Sequence, residues 1–245
     1  SLELLNTVEI VGGGADKNVK NAELGVTRLN AQAIKELPTL LGEADVIRTI
    51  QTLPGITSVG ESATGFNVRG GNIDQNLLLL DHVPIFNPSH LIGFFSIFNP
   101  DLLRDITFYR GGIPAQYGGR ASSVLDVRLR DPNMESNHLK GSVGLITSRF
   151  LVEAPIIKNK LSSAIGARWS YADYLFRSFL RPELKETEAN FYDFTFKSIY
   201  KPSEKDQVSL TAFMGKDAFR IAGDSLSTLE INASSTRYLW KTQGA

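Results

Sequence analysis

From Leu139 onward the chain alternates between apolar side chains and polar or small ones, and a period of two restricts it to β-strands. Leu161, Ile165, Ala167, Trp169 and Tyr171 interleave with Ser162, Ala164, Gly166, Arg168 and Ser170. Tyr192, Phe194, Phe196 and Tyr200 interleave with Asp193, Thr195 and Lys197, and Val208, Leu210, Ala212 and Met214 with Gln207, Ser209 and Thr211. The connections have a rhythm as well. Residues 153–159 and 201–206 read as short turns, 177–189 and 219–228 as longer polar loops. Short turns on one side and long loops on the other fit a transmembrane β-barrel. A soluble meander with one wet face would alternate in the same way. The first strand, expected over residues 140–152, alternates poorly and slips phase near Leu145 and Ile146.

Composition narrows the functional classes. With 26 Lys and Arg against 26 Asp and Glu, no cationic excess exists to neutralise phosphates, so no nucleic-acid partner is expected. The absence of cysteine excludes disulfides, Cys-ligated metals and a thiol nucleophile, but leaves the compartment open. No apolar run reaches the ~18 residues of a transmembrane helix. No signal-peptide pattern precedes Ser1, so any targeting segment is expected to have been removed. Enzyme signatures are missing: there is no G-x-S-x-G or H-E-x-x-H, and His82, His90 and His138 lack metal-ligand spacing. Asp74 and Asp81 read as turn and strand-end residues. No glycine cluster fits a nucleotide-binding loop, and no cofactor is implied.

Three segments are expected. Residues 1–22 form a flexible tail, with a β-prone run followed by Gly12, Gly13 and Gly14 as a hinge. Residues 23–131 form a compact α+β unit. Its expected helices cover 31–36, capped by Asn30, and 43–53, stopped by Pro54 and Gly55; a short one covers 100–104, with Asn99 as cap. Its expected strands are 65–69, 77–81, 106–110 and 124–130, with glycine pairs at 70–71, 111–112 and 118–119 where strands end. Residues 138–245 form the antiparallel strands.

Two stretches carry a family resemblance. The first comprises LPTLLGEADVIRTIQTLPGI and GFNVRGGNIDQNLLLLDHVPIFNPSHLIGFFSIFNPDLLRDITFYRGGIPAQYGGRASSVLDVRLRD; the second is LVEAPIIKNKLSSAIGARWSYADYLF. In order and spacing they resemble the plug domain and first barrel hairpin of TonB-dependent outer-membrane receptors. The resemblance covers about residues 37–217. It implies an α+β plug followed by antiparallel strands of a transmembrane barrel that has 22 strands in the whole family fold. The residues after Asn137 suffice for about five strands at ~10 residues each. Five cannot close such a barrel, so the chain reads as the N-terminal part of a longer receptor, its barrel truncated.

The same resemblance implies energised uptake of a scarce ligand, an iron chelate, glycan, peptide or cobalamin, across the Gram-negative outer membrane, and no enzyme activity. Its implied partners are the energy-transducing protein TonB, an extracellular ligand and a surface lipoprotein. Thr7, Val8, Glu9, Ile10 and Val11 take the place of the TonB box, the segment TonB captures as an added strand. Arg69 and Arg110, each before a Gly-Gly, take the place of arginines that pair with carboxylates on the barrel wall. Phe86, Asn87 and His90, with the segment around 60–64, fall in outward plug loops that would touch ligand. Phe94 and Phe95 read instead as plug core or plug–barrel contact. The rival reading is a non-transporting plug or scaffold that seals or regulates another outer-membrane pore.

Overall fold

The computed structural model describes residues 25–30, 33, 45–58, 65–172, 174, 188–220, 231–232 and 236–244. The first half is built from β1 (Val26–Asn30), α1 (Val46–Gln51), β2 (Ile56–Ser58), β3 (Phe66–Val68), β4 (Asn76–Leu80), β5 (Val83–Pro84), β6 (Ser89–His90), β7 (Phe95–Ser96), β8 (Leu103–Tyr109) and β9 (Ser123–Leu129). A five-stranded sheet runs β1-β8-β9-β4-β5, with β4 and β9 parallel and the other pairs antiparallel. β2 pairs with β3 and β6 with β7 in two small hairpins. One face of the sheet carries Leu78, Leu80, Ile106, Phe108, Leu125, Val127 and Leu129. They pack with Val46, Ile47 and Ile50 of α1 into a single apolar core.

α1 starts later than its periodicity suggests, because Asp45 is its N-cap. The carboxylate accepts from the Arg48 N–H at 3.0 Å and, across the unit, from the Ser96 N–H at 2.7 Å. Burial raises the Asp45 pKa, against the lowering effect of these backbone hydrogen bonds. The Asn30 side chain accepts from the Ala33 N–H at 2.7 Å, as a cap would; the rest of the helix expected over 31–36 lies outside the described residues.

The short helix expected over 100–104 is not formed. The Asn99 side chain does accept, from the Asp101 N–H at 3.0 Å, and its carbonyl accepts from the Leu102 N–H at 3.1 Å, but these close a turn. β8 then begins at Leu103, because Ile106 and Phe108 alternate into the sheet core and an irregularity between Leu103 and Asp105 brings Leu103 to the same face.

The second half contains β10 (His138–Val143), β11 (Thr147–Ile157), β12 (Leu161–Ser170), β13 (Glu188–Tyr200), β14 (Gln207–Arg220), β15 (Ile231–Asn232) and β16 (Thr236–Gly244). They form one antiparallel array, β10 through β14 in sequence, with β15 and β16 sharing the far edge of β14. The phase slip at Leu145 and Ile146 is a turn: the Gly144 N–H donates to the Thr147 carbonyl at 2.8 Å. The strand expected over 140–152 is therefore a hairpin of β10 and β11, and β11 continues to Ile157, leaving a connection of three residues where a turn over 153–159 was expected.

Burial is the inverse of a water-soluble sheet. Ile165, Trp169 and Phe194 are 50%, 47% and 42% exposed, whereas Arg168, Asp193 and Lys197 on the other face are 1%, 0% and 4% exposed. A soluble meander would turn the greasy face in, so the alternation belongs to strands whose outer face meets hydrocarbon. β11 to β14 are 10 to 14 residues long, sufficient to cross a bilayer as tilted strands.

The inner face is packed by the plug-like first half. Leu151 pairs with Gly166, Gly166 with Thr195 and Thr195 with Phe213 along one inward row. Fully buried Leu102 fits over Gly166, where an added Cβ would lie 2.6 Å from its Cδ1. Gly166→Ala is expected to destabilise by about 1–3 kcal/mol through overpacking. The readout is a lower urea or thermal midpoint of the detergent-solubilised protein; an unchanged midpoint would mean that Leu102 is not locked against the wall.

Candidate plug–barrel interface and binding surface

The connections 158–160 and 201–206 lie at one end of the strand array, together with the link between β9 and β10. Parallel β4 and β9 both run toward this end, so Asp81 and Asp131 arrive beside β13. The β4–β5 turn places Asp81 and His82 at φ +50° and +71°, a left-handed pair that reverses the chain in two residues. Held in that turn, Asp81 accepts from the Leu129 N–H at 3.0 Å, from Thr211 Oγ1 at 2.9 Å and from Lys197 Nζ at 2.9 Å. Lys197 also meets Asp131 at 3.0 Å and donates to the Leu129 carbonyl at 2.9 Å. All three Lys197 donors are thereby used.

Further along, Arg130 meets Glu153 of β11 at 2.6 Å. Asp101, fixed by the Asn99 turn, receives Lys140 at 2.5 Å and Arg149 at 3.2 Å. At the far end, His90 Nε2 lies 3.0 Å from Asp193 Oδ2 on β13, and its Nδ1 lies 3.0 Å from Asp217 Oδ2 on β14. Asp193 also holds Arg168 of β12, Nε at 2.7 Å and Nη2 at 2.6 Å, while Arg168 donates to the Ser96 carbonyl at 2.6 Å. Phe191 stacks on the His90 ring, centroids 4.3 Å apart and planes 6° from parallel, and its ring centre is 5.2 Å from the Arg168 guanidinium carbon. Burial pulls the His90 pKa down, but the hydrogen bonds its ring donates to Asp193 and then to Asp217 outweigh it and hold it above the ordinary value.

This seam is made by residues other than the arginines expected to make it. Arg110 donates to the Pro54 carbonyl at 2.6 Å and to Thr27 Oγ1 at 3.1 Å, tying α1 and β1 within the plug. Arg69 is exposed at φ +49° in a tight turn closed by the Gly71 N–H on the Val68 carbonyl, and its guanidinium lies against Gly111. The two Arg-Gly-Gly turns therefore touch each other, and neither arginine meets a carboxylate among the described residues. His90, expected in a ligand-facing loop, is buried in the seam. Its neighbours Phe86 and Asn87 are exposed. Phe95 is buried against Phe191 of β13, ring centroids 5.4 Å apart, as a plug–barrel contact, whereas Phe94 is partly exposed.

Phe86 lines a cavity of about 530 Å³ together with Phe66, Asn72, Asp74, Ile85 and Arg120. Its walls thus include the start of β4 and Arg120 ahead of β9, away from the link to β10. Residues 7–11 and 60–64 lie outside the described residues. The seam partners escaped sequence reading because they are distant in the chain. A local signal existed all the same: Arg168, Asp193 and Lys197 are charges on strand faces that alternate with the apolar ones, beside Gly166 and Thr195.

A five-stranded sheet with a helix, tied by buried charges to the polar side of strands whose other side is apolar, is a plug seated against the wall of a transmembrane barrel. No helix among the described residues is long and apolar enough to cross a membrane. Residues 18–124 match the TonB-dependent receptor plug domain, and the fold resembles that of the plug with its adjoining barrel strands in receptors of the outer membrane. It is 26% identical over 158 residues to the ferric enterobactin receptor PirA of Pseudomonas aeruginosa, covering 57% of this chain and 20% of that protein. It is likewise 26% identical over 179 residues to a probable TonB-dependent siderophore receptor PirA of Acinetobacter baumannii, covering 60% of this chain and 23% of the relative. The chain thus spans under a quarter of the length of these curated relatives. The crystal structure of the siderophore receptor PirA from Acinetobacter baumannii superposes with a TM-score of 0.61 at 21% identity, over 86% of this chain and 34% of that one.

Lys197→Met is expected to cost about 3–5 kcal/mol, since it strands the buried Asp81 carboxylate. Adding Asp81→Asn removes the stranded charge and keeps an oxygen for the Leu129 N–H, so the double variant should regain part of the loss. A double-mutant cycle on the denaturation midpoint measures this coupling; additive losses would contradict it.

Proposed function

We propose that the protein takes up a ferric siderophore across the outer membrane, driven by TonB. The observation that carries this reading is the plug itself: a match to the receptor plug domain, seated by buried ion pairs on the inner face of lipid-facing strands. A pore filled in this way must be rearranged before anything passes. The names of the two curated relatives support the choice of ligand class, since both are siderophore receptors.

In this reading ligand is held outside by plug loops and by the barrel. Phe86 and Asn87 supply exposed aromatic and amide surface, and the cavity beside Phe86 adds Asp74 and Arg120. TonB takes Thr7, Val8, Glu9, Ile10 and Val11 as an added strand, held through main-chain hydrogen bonds. Pulling on that strand opens the seam and lets the ligand enter the periplasm. Arg110, which ties α1 to β1, and Arg69, which lies against Gly111, keep the plug itself intact until then.

Proline at Val8 and Ile10 removes two strand-pairing N–H donors. In cells expressing the full-length receptor, these substitutions should abolish energy-dependent uptake of radiolabelled ferric enterobactin. Energy-independent binding at the cell surface should remain. Uptake at the unsubstituted rate would overturn the TonB-driven reading, and absence of surface binding by the unsubstituted receptor would overturn the ligand class.

A further inference from the structure

We propose that His90 is a proton-dependent rivet: as imidazolium it fastens the β6–β7 hairpin of the plug to β13 and β14, and as neutral imidazole it lets the hairpin go. The proposal rests on the plug reading and not on any particular transported ligand.

The geometry demands two ring donors. Nε2 faces a carboxylate oxygen of Asp193 at 3.0 Å, and Nδ1 faces both oxygens of Asp217, at 3.1 and 3.0 Å. A neutral ring has one N–H and one lone pair, so in either tautomer a lone pair would oppose a carboxylate. The charge balance agrees. Among the described residues, Arg168 from β12 faces Asp193 from β13, and these two carboxylates are matched by two cations only when His90 carries its proton.

The site is a fitted socket as well as a charge cluster. His90 is buried, Phe191 of β13 covers one ring face, and a Cβ added at Gly215 of β14 would stand 3.2 Å from His90 Cε1. The adjoining backbone is held too, since the Leu91 N–H donates to Asp217 at 3.0 Å. Loss of one proton therefore leaves a buried carboxylate facing a lone pair, with little room for the ring to turn away.

The direction of the effect follows from the sign of the shift. His90 titrates above the ordinary histidine value of 6.5 in the folded protein. Its stabilising contribution is thus complete below that value and is lost as pH rises through the folded pKa. The rivet is closed below the ordinary histidine value and opens as pH rises through the raised His90 pKa. Release frees the corner where Leu91 and Phe95 pack with Ile146, Ala172 and Phe191.

These residues hold no cysteine, so Phe94→Cys, at a partly exposed position beside the β6–β7 hairpin, takes the nitroxide label in a full-length receptor whose other cysteines, where it has any, are replaced by serine. Electron paramagnetic resonance spectra from about pH 6 to about pH 10 bracket a raised histidine titration. The expected result is an immobilised label at low pH that becomes mobile through an inflection above 6.5. Asp217→Asn removes one anion and should move that inflection down by about one pH unit or more. His90→Gln should give a mobile label throughout. A spectrum independent of pH, or an inflection unmoved by Asp217→Asn, overturns the proposal even if His90→Gln fails to fold. Because the readout is label mobility and not uptake, its failure leaves the transport reading standing, and a failed uptake assay leaves the rivet standing.

Discussion

Hydrocarbon outside the strand array dictates the chemistry inside it. A sheet that shows Ile165, Trp169, Phe194 and Tyr192 to lipid must turn Arg168, Asp193, Thr195 and Lys197 the other way, because successive side chains alternate between faces along the regular pairing of β12 with β13. Those inward groups are too polar to be covered by an apolar surface, since an unpaired buried charge costs several kcal/mol. The plug therefore has to present opposite charges at matching heights. Asp81 and Asp131 answer Lys197, Asp101 answers Lys140 and Arg149, Arg130 answers Glu153, and His90 answers Asp193 and Asp217.

Turns supply many of these answering groups, and a physical reason lies behind the pattern. Strand residues of the plug sheet commit one face to the apolar core, and their backbone groups to the ladder. Asp81 in a left-handed turn, Asp101 in the Asn99 turn and His90 just before a 3₁₀ turn can aim polar side chains outward without breaking either. The core of Phe108, Leu125 and Val127 fixes the sheet, the sheet fixes the turns, and the turns set the height of each charge. Small residues on the wall let the plug approach. Gly166 admits Leu102 and Gly215 admits the edge of His90.

Local periodicity made most of the architecture legible. The alternation in β12, β13 and β14 places every residue quoted for it on the correct face, and Pro54 and Gly55 end α1 within a few residues of where their chemistry requires. Legibility failed where a local signal had two structural solutions. The poor alternation around Leu145 and Ile146 reads equally as an irregular strand or as a tight turn, and only pairing of His138 with Glu153 decides it. Asn99 is a good cap for a helix and equally good for a turn; burial of Leu103, Ile106 and Phe108 in a sheet settles which. The seam was hidden for another reason. Asp81 and Thr211, or His90 and Asp217, are brought together by topology alone, and no window along the sequence contains both.

Under the proposed uptake, in which the plug moves, a seam of ion pairs suits it better than an apolar one would. Separating two greasy faces in a water-filled lumen exposes apolar surface at roughly 25 cal/mol per Å², with no compensation until they meet again. Buried ion pairs behave differently. Their net stabilisation is small, because the Coulomb gain is set against two desolvation costs, and water restores much of what is lost once it reaches both partners. What such pairs supply is register: Lys197 fits between Asp81 and Asp131 in one position only, and His90 between Asp193 and Asp217 likewise. A plug held in this manner is specific in where it sits, and under the proposed uptake the same pairs would guide it back to that place. The few apolar anchors, Leu102 over Gly166 and Phe95 against Phe191, then carry the part of the barrier that hydration cannot repay.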